Sequence, residues 1–234
     1  MEPSRPPNLS PWCQNLLERL QVHPEAAEIV IGGGVALSHY CPHRPTFDFD
    51  AWWKTSPNPQ TVELAREAIG ALATARGATF EERQWGDVLS FDVKEARGQK
   101  VFSFQIARRD RYLEAPLPSP WGLILIESFL DNLASKMVAL VDRTAPRDLV
   151  DLYEVVTRGL IALEDCWDLY LRKRPGADLE VAKQQVLERL EQIEARRPLE
   201  SIANPEGRTY AQTIRTWYHE HFAGPERLDR GIRL

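Results

Sequence analysis

The sequence predicts an α+β protein in which a strand-rich first part is followed by a helical second part. Short apolar runs with the two-residue alternation of β-strands are concentrated before residue 108. Prolines at positions 116, 118 and 120 interrupt the chain, which predicts a boundary there. From residue 128 onward the apolar residues recur at helical spacing. We therefore predict two domains, residues 1–115 and residues 116–234.

Each predicted element follows from a local pattern. Residues 1–9 are rich in proline and predict a loose arm. The pair Ser10-Pro11 predicts a helix start, because a capping serine followed by a proline is typical of that position. Apolar runs predict strands at residues 28–31, 46–50, 78–83, 87–94 and 100–107. Helical spacing predicts helices at residues 60–76 and 128–142, from residue 146, and at residues 162–174, 178–196 and 206–222.

Length and composition favour a folded, cytoplasmic protein. With 234 residues and 43% hydrophobic content, the chain can bury one core, or one core and a smaller helical lobe. No apolar run is long enough to span a bilayer, and the first residues lack the apolar stretch of a signal peptide. The cysteines are odd in number and widely spaced, which suits a reducing compartment better than a disulfide framework: Cys13, Cys41 and Cys166.

The charge pattern argues against a protein that coats nucleic acid. The net charge is −5, so the whole chain has no basic footprint. Two local basic clusters lie at residues 108–111 and 172–174. Each cluster could contact a phosphate backbone or form an ordinary solvated surface, and the sequence leaves both interpretations open.

A glycine-rich turn follows the first predicted strand. Ile29-Val30-Ile31 is a short β-branched run, and it leads through Gly32, Gly33 and Gly34 into Val35-Ala36-Leu37. This order predicts a strand, a tight turn and a helix, so that backbone N–H groups of the turn can bind a phosphate. The alternative is a tight turn without a ligand.

Two aspartates share one face of the next predicted strand. The alternation of residues 46–50 places Thr46, Asp48 and Asp50 on one side and two phenylalanines on the other. Carboxylates one strand repeat apart can hold Mg²⁺ while a phosphate supplies further oxygens. The alternative is a pair of surface acids on an edge strand.

Four motifs in this order resemble one family. They are Gly33-Gly34-x-Ala36-Leu37, Arg44-x-Thr46-x-Asp48-x-Asp50, Lys136-Met137-Val138-Ala139-Leu140-x-x-Arg143 and Arg147-Asp148-Leu149-Val150-Asp151-Leu152-Tyr153. Together they resemble the AbiEii/AbiGii type of nucleotidyltransferase. The nucleotidyltransferases of this type are toxins of toxin-antitoxin pairs, and they are related to the mycobacterial MenT proteins. The resemblance covers residues 28–155.

The resemblance implies a nucleotidyltransferase-like mixed β-sheet core flanked by helices, with a C-terminal all-helical lobe. It also implies transfer of a nucleoside monophosphate from an NTP to a hydroxyl group. The residues implicated in catalysis are Asp48, Asp50, Lys136 and Asp148, with Asp48 and Asp50 as ligands of Mg²⁺ or Mn²⁺. Those implicated in nucleotide binding are Gly33, Gly34, Val35, Arg44, Thr46 and Asp151. In this scheme Lys136 faces the phosphates, and Asp148 holds Lys136 or the attacking hydroxyl.

One position departs from the family pattern. The fold commonly carries a third carboxylate on the neighbouring strand, and the residue expected there is the neutral Gln105. Asp92 on the preceding strand could take its place, or two carboxylates could suffice.

The resemblance also suggests partners. In the family the acceptor is often the end of a tRNA, and a cognate antitoxin protein restrains the enzyme. Two alternatives stay open. The first is an enzyme of the same fold that modifies a protein or a small molecule, and the second is a non-catalytic, nucleotide-binding regulator.

Overall fold

The computed structural model describes residues 1–109 and 111–222. It confirms the α+β class. The strands are β1 (Ile29–Ile31), β2 (Asp48–Trp53), β3 (Thr79–Trp85), β4 (Val88–Lys94), β5 (Lys100–Ala107), β6 (Leu117–Pro118) and β7 (Leu125–Ile126). The helices are α1 (Pro11–Leu20), α2 (Gly33–Ser38), α3 (Pro59–Ala75), α4 (Phe129–Arg143), α5 (Pro146–Thr157), α6 (Leu163–Lys173), α7 (Leu179–Arg196) and α8 (Pro205–Phe222). Two short 3₁₀ segments lie at Pro24–Glu28 and Leu199–Ser201.

The chain divides into two compact units, Met1–Asn132 and Leu133–Leu234. All seven strands belong to the first unit, including β6 and β7. The sheet therefore continues past residue 115, where the sequence analysis placed the boundary between its two domains.

The strands form one mixed sheet in the order β3-β4-β5-β2-β1-β7-β6. Strand β2 is parallel to β5 and antiparallel to β1, while β1 is parallel to β7. Because β2 has a hydrogen-bonded neighbour on each side, its residues are fixed in an interior position of the sheet. The two aspartates of the sequence motif are therefore not on an edge strand.

One face of the sheet forms the core of the first unit. Phe49 and Phe104 lie edge to face with ring centroids 5.2 Å apart, and Phe104 stacks on Phe91 at 6.0 Å. Helix α3 packs near β3 and β4, and α1 packs on α3. Helix α3 buries Leu64, Ile69 and Leu72, so the helical spacing predicted for this segment faces the core.

The opposite face is polar around β2. The register places Asp48 beside Ser103 and Asp50 beside Gln105 on β5. On the next strand, β4, Asp92 lies beside Ser103. Paired residues on neighbouring strands point to the same face, so these side chains form one polar surface.

The N-terminal arm is anchored to the first unit, which corrects the prediction of a loose arm. The backbone N–H of Ser4 donates to the carbonyl of His39 at 3.0 Å. The guanidinium carbon of Arg5 lies 4.1 Å from the centroid of the Trp121 ring. Leu9 pairs with Thr46 in a parallel bridge. A proline-rich segment has little conformational entropy to lose, so a few such contacts can order it.

The second unit contains most of α4 and the helices α5 to α8. Helix α5 begins with a proline at its first position, as the sequence predicts. Thr144, in the connection before it, has a φ of 45°, and its hydroxyl donates to the carbonyl of Leu140 at 2.6 Å. Aromatic side chains pack together in this unit, and they include Tyr153, Trp167, Trp217, Tyr218 and Phe222.

Across residues 1–109 and 111–222, none of the helices has both the length and the apolar character that a membrane crossing requires.

Candidate functional site

The glycine turn between β1 and α2 depends on two of its glycines. Gly33 has a φ of +57°, a conformation that residues with a side chain rarely adopt. A Cβ at Gly33 would overlap the carboxylate of Asp50, and one at Gly32 would overlap the indole of Trp52. The N–H of Gly32 donates to the backbone carbonyl of Asp50 at 2.9 Å. The predicted strand, turn and helix are confirmed, and the turn lies directly against β2.

Backbone donors of this turn suit an anion. Gly33, Gly34 and Val35 are the first residues of α2, and the first N–H groups of a helix have no acceptor within the helix. The sequence analysis assigns these residues to phosphate binding, and that assignment stays a prediction.

The two carboxylates lie side by side on the polar face of β2. Asp48 and Asp50 are half-buried, whereas Phe49 between them is fully buried in the core. The hydroxyl of Ser103 donates to Oδ1 of Asp48 at 2.7 Å, which orients that carboxylate. Asp50 is held against the Cα of Gly33. Ser103 on β5 thus supports Asp48, and the glycine turn supports Asp50.

The neighbouring strands offer no third carboxylate beside this pair. Gln105 is the residue opposite Asp50, as the sequence predicts. Asp92 lies one strand further away than Ser103, and it pairs with Lys100 at 2.7 Å and with Arg83 at 3.7 Å. In the part of the chain that the structure describes, no three His, Cys, Asp or Glu side chains cluster as a metal site would require.

Two carboxylates nevertheless fit a magnesium ion in a nucleotide site. Mg²⁺ is commonly bound by one or two carboxylates and takes its other oxygens from substrate phosphates and water. Asp48 and Asp50 supply such oxygens, and the missing side chain at Gly33 leaves room for the Asp50 carboxylate beside the turn.

Burial raises the pKa of the nearby Cys13 to about 12, and the charges of Asp48 and Asp50 also raise it. Its thiol is therefore protonated at neutral pH.

Thr46 is more buried than the sequence analysis implies. It is 4% exposed, and its backbone pairs with the arm residue Leu9 in a parallel bridge. Among residues 1–109 and 111–222, its hydroxyl has no hydrogen-bond partner. Arg44 donates from Nη1 to the carbonyl of Pro45 at 3.4 Å.

A buried polar cluster behind the turn was missed by the sequence analysis. Glu127, which is fully buried, accepts a hydrogen bond from the indole N–H of Trp52 at 2.6 Å. It also accepts one from the amide of Asn132, whose Nδ2 donates to the carbonyl of Gly33 at 3.1 Å. The cluster therefore contacts both the glycine turn and β2 and holds them in place. An acid directly after the apolar residues 123–126 was the available signal.

Arg109 completes this cluster, so for this one residue of the basic segment 108–111 both interpretations are wrong. Its side chain is 7% exposed and pairs with Glu127 and with Asp131, the latter at 2.9 Å. Burial lowers the pKa of Arg109, and the Asp131 carboxylate opposes that shift. Arg109 is thus neither a solvated surface residue nor accessible to a phosphate backbone. Arg108 remains exposed, 3.5 Å from Asp87.

The later motifs form their own cluster in the second unit. Lys136 on α4 pairs with Asp151 on α5 at 2.7 Å, and both are buried. Asp148 instead accepts two bonds from Arg143, at 2.9 and 3.1 Å. The predicted contact of Lys136 with Asp148 is therefore replaced by one with Asp151. Arg143 is at the end of α4 and reaches the start of α5, whereas Lys136 lies two turns earlier and meets the next turn of α5.

Tyr218 lies near both of these carboxylates. Its hydroxyl donates to the carbonyl of Leu149 at 3.0 Å. Burial raises the pKa of Tyr218 well above its ordinary value, and the charges of Asp151 and Asp148 raise it further. The hydroxyl is therefore a neutral donor that fixes α8 to α5.

The structure places the predicted site residues in two groups. Seven lie in the first unit, around the turn and β2: Gly33, Gly34, Val35, Arg44, Thr46, Asp48 and Asp50. Three lie in the second unit: Lys136, Asp148 and Asp151.

The chain matches a family model and is similar to several solved structures, two of which are described below. Residues 15–217 match the family model described as "Nucleotidyl transferase AbiEii toxin, Type IV TA system". One solved structure is an antigenic nucleotidyltransferase-like protein from Paracoccidioides brasiliensis, with 15% identity, coverage of 72% of this chain and 92% of that chain, and a TM-score of 0.40. Another is a cytoplasmic RNA terminal U-transferase, with 11% identity, coverage of 62% and 41%, and a TM-score of 0.28. No curated protein matches the chain significantly.

Proposed function

Because the chain belongs to the AbiEii nucleotidyl transferase toxin family, we propose that it transfers a nucleoside monophosphate from an NTP to a hydroxyl group of tRNA. The observation that carries this proposal is the pairing of Asp48 and Asp50 on an interior strand, directly against a turn that requires glycine at position 33. Phosphoryl transfer depends mainly on positioning and on neutralising charge. A rigid carboxylate pair beside backbone donors meets both needs.

Asp48 and Asp50 are the proposed ligands of Mg²⁺ or Mn²⁺. When bound, the ion would neutralise triphosphate charge and lower the pKa of the acceptor hydroxyl. The protein's own part is to hold the two carboxylates in place. Ser103 orients Asp48 through a 2.7 Å hydrogen bond, and the backbone carbonyl of Asp50 accepts a hydrogen bond from the N–H of Gly32.

The glycine turn is the proposed binding site of the β and γ phosphates. The N–H groups of Gly33, Gly34 and Val35 would donate to phosphate oxygens. Asn132 holds the turn through the Gly33 carbonyl. We assign Thr46 to the same ligand by its place in the motif, two residues before Asp48.

Arg44 is assigned to the triphosphate as a charged donor. This assignment rests on its place in the motif two residues before Thr46.

Lys136 and Asp148 are proposed to serve the same reaction, as the family resemblance implies. We assign Lys136 as the positive charge that faces the phosphates. Asp151 holds the Lys136 ammonium group at 2.7 Å, so we assign Asp151 an effect on nucleotide binding that acts through Lys136. Asp148 keeps its proposed role toward the attacking hydroxyl.

The family is that of a toxin in a toxin-antitoxin system, so we propose a cognate antitoxin protein as a partner. Modified tRNA would block translation, and the antitoxin would restrain this activity.

The proposal is tested by incubating the protein with each α-³²P-labelled NTP, Mg²⁺ and total tRNA. We expect label on tRNA from the wild type, and at least a 100-fold lower rate from Asp48→Asn and from Lys136→Met. Glu81→Gln is the matched control, because Glu81 is an exposed carboxylate of the same sheet, paired with Lys94. EDTA should abolish transfer, and added Mg²⁺ or Mn²⁺ should restore it. Transfer by Asp48→Asn at the wild-type rate would contradict the proposal.

A second candidate function is a non-catalytic, nucleotide-binding regulator. The neutral Gln105 opposite Asp50 favours it, because an amide is a poorer metal ligand than a carboxylate. Binding of an NTP without turnover in either Mg²⁺ or Mn²⁺ would support this candidate. Label on protein instead of tRNA would indicate a protein acceptor.

A further inference from the structure

The direction of the glycine turn is fixed from behind by a hydrogen bond to a backbone carbonyl. Nδ2 of Asn132 donates to the carbonyl of Gly33 at 3.1 Å. A trans peptide is planar, so its N–H points away from the side to which its carbonyl points. The bond from Asn132 therefore directs the N–H of Gly34 away from the buried cluster. Among residues 1–109 and 111–222, that N–H has no acceptor, as expected near the start of a helix.

The peptide between Gly33 and Gly34 needs an anchor, because glycine restrains it weakly. Neither residue has a Cβ, and glycine populates positive and negative φ with similar ease. The peptide plane can therefore turn over at little cost when its carbonyl is unbound. In the turned-over state the carbonyl of Gly33 would point where the N–H of Gly34 now points. An anion on that side would then meet an oxygen instead of a donor.

The amide of Asn132 is in turn oriented by Glu127. Both residues are buried. Nδ2 of Asn132 also donates to Oε2 of Glu127, so its two hydrogens are used by two acceptors. Oδ1 of Asn132 has no partner in the described part of the chain. The acceptors on the Nδ2 side therefore decide which way the amide faces.

Glu127 presents a fixed acceptor to this amide. Its Oε1 accepts from the indole N–H of Trp52 at 2.6 Å and pairs with the guanidinium of Arg109. Its backbone carbonyl accepts from the hydroxyl of Tyr40 at 2.6 Å. The neighbouring guanidinium favours the ionised carboxylate, which has no hydrogen to donate. Oε2 of Glu127 can therefore only accept from Asn132.

We infer that Glu127 and Asn132 are positioning residues of the nucleotide site. Glu127 sets the direction of the Asn132 amide, and that amide holds the peptide between Gly33 and Gly34 with its N–H toward the triphosphate. This inference rests on the proposed function, in which the N–H of Gly34 is a phosphate donor. Both side chains act through the turn, so their loss should appear in the affinity for the NTP.

Glu127→Gln tests this direction at nearly constant size. Because Oε1 meets two donors, Trp52 and Arg109, the NH₂ group of the glutamine should face Asn132. The amide of Asn132 then turns over, and its oxygen meets the carbonyl of Gly33. We expect the NTP affinity, measured by calorimetry, to fall about tenfold or more. The KM for the NTP should rise by the same factor, while the KM for tRNA stays within about twofold.

Asn132→Leu removes the donor itself, and the double variant tests whether the two residues act through one contact. If both act through the carbonyl of Gly33, Glu127→Gln should add less than about twofold to the loss caused by Asn132→Leu. Glu114→Gln is the matched control, because Glu114 is an exposed carboxylate of the same unit that accepts from Ser128 at 2.6 Å. It should bind the NTP as the wild type does. Urea unfolding of each variant confirms that it is folded in the assay.

The carbonyl of Gly33 can also be observed directly. Glycine follows glycine in this sequence only between residues 32 and 34. A chain labelled with ¹³C and ¹⁵N in glycine alone therefore gives two cross-peaks in an NMR experiment that correlates each amide with the preceding carbonyl. One of them reports the Gly33 carbonyl together with the Gly34 N–H. Glu127→Gln should move this carbonyl resonance upfield, the direction of a lost hydrogen bond, and Glu114→Gln should leave it in place.

Two outcomes overturn the inference alone. The first is a wild type that binds an NTP and a Glu127→Gln variant that binds it as tightly. The second is full additivity of the two losses in the double variant. If the wild type binds no NTP, the proposed function fails and the inference with it. If Glu127→Gln does not fold, Asn132→Leu replaces it, because it removes the same bond to Gly33 and leaves the pair of Glu127 and Arg109 in place.

Discussion

Gly33 joins the two parts of the candidate site in one residue. Its left-handed backbone makes the turn, and its lack of a side chain admits the carboxylate of Asp50. These are separate physical requirements, one conformational and one steric. A substitution at this position should therefore cost more than a substitution at a glycine that meets only the first requirement.

We predict that Gly33→Ala destabilises the fold by about 2 kcal/mol or more and abolishes transfer. Alanine at a positive φ costs about 1 kcal/mol, and the overlap with Asp50 adds to this cost. Gly77 is the matched control, because its φ is +62° and a side chain there would meet no atom within 4 Å of its Cβ. Gly77→Ala should lose about 1 kcal/mol and keep its activity. Chemical unfolding and the transfer assay measure both variants, and equal losses at the two positions would contradict the steric effect.

Local pattern was enough to predict individual residues of the turn and of β2. Gly33, Asp48 and Asp50 are close together in the sequence, and the strand alternation fixes which side chains share a face. The partners of charged residues could not be predicted in the same way. Arg109 looked like part of a surface cluster, yet it is buried against Glu127 and Asp131. Whether such a residue is exposed or buried in an ion pair depends on which segments the fold brings together. Spacing along the sequence does not carry that information.

At the scale of elements, α2 is fixed at its C-terminal end by His39. Nδ1 of His39 lies 2.8 Å from the carbonyl of Val35, and Nε2 accepts a hydrogen bond from the indole N–H of Trp121 at 2.8 Å. This arrangement requires the neutral ring with its proton on Nδ1. Burial lowers the pKa of His39 from 6.5 to about 4, while the Val35 carbonyl opposes the shift.

The His39 contacts predict a loss of stability in mild acid. In the unfolded chain His39 binds a proton near pH 6.5, whereas in the folded chain its pKa is about 4. Between these values the unfolded state binds more protons, so the free energy of unfolding falls as the pH falls from 6.5 to about 4. The contribution is about 3 kcal/mol, and it is fully present above the unfolded pKa.

The matched measurement is urea unfolding near neutral pH and again in mild acid, between the two pKa values of His39. His39→Gln should show a smaller fall in unfolding free energy between these conditions than the wild type, because glutamine does not titrate. His23→Gln, at an exposed histidine, should behave as the wild type does. An unchanged pH dependence in His39→Gln would show that other groups cause the fall.

Helices were the elements that the sequence predicted best. The observed bounds of α3, α6, α7 and α8 agree with the predicted ranges within one residue at each end, because capping and helical spacing are local signals. Strands β6 and β7 have two residues each, too short for an alternating pattern. The prediction for the arm at residues 1–9 was wrong, since its partners, His39 and Trp121, are distant in sequence.

At the scale of the whole molecule, the order of strands was beyond the sequence. The resemblance implied a mixed β-sheet, but the placement of β2 between β1 and β5 depends on long-range pairing. This placement decides how the carboxylate pair is supported. An edge strand would leave one side of the carboxylate pair without support, whereas the interior position gives Asp48 a hydrogen bond from Ser103.

Net charge indicates how such a protein can act as a toxin. The chain carries 29 basic and 34 acidic residues, giving −5, and proteins that hold RNA by bulk electrostatics are basic. A protein with this charge competes poorly for abundant RNA as a stoichiometric binder. A catalyst needs only brief contact with each acceptor, so toxicity should depend on turnover.

We predict that induced expression of the wild type arrests bacterial growth and that Asp48→Asn, expressed at the same level, does not. The substitution removes one charge from the carboxylate pair and leaves an amide of similar size, so the fold should persist while transfer is lost. Glu81→Gln removes one carboxylate charge from an exposed position on the same sheet and should arrest growth as the wild type does. Growth curves with matched immunoblots measure this outcome. Arrest that survives Asp48→Asn would show that toxicity comes from binding alone and does not require turnover.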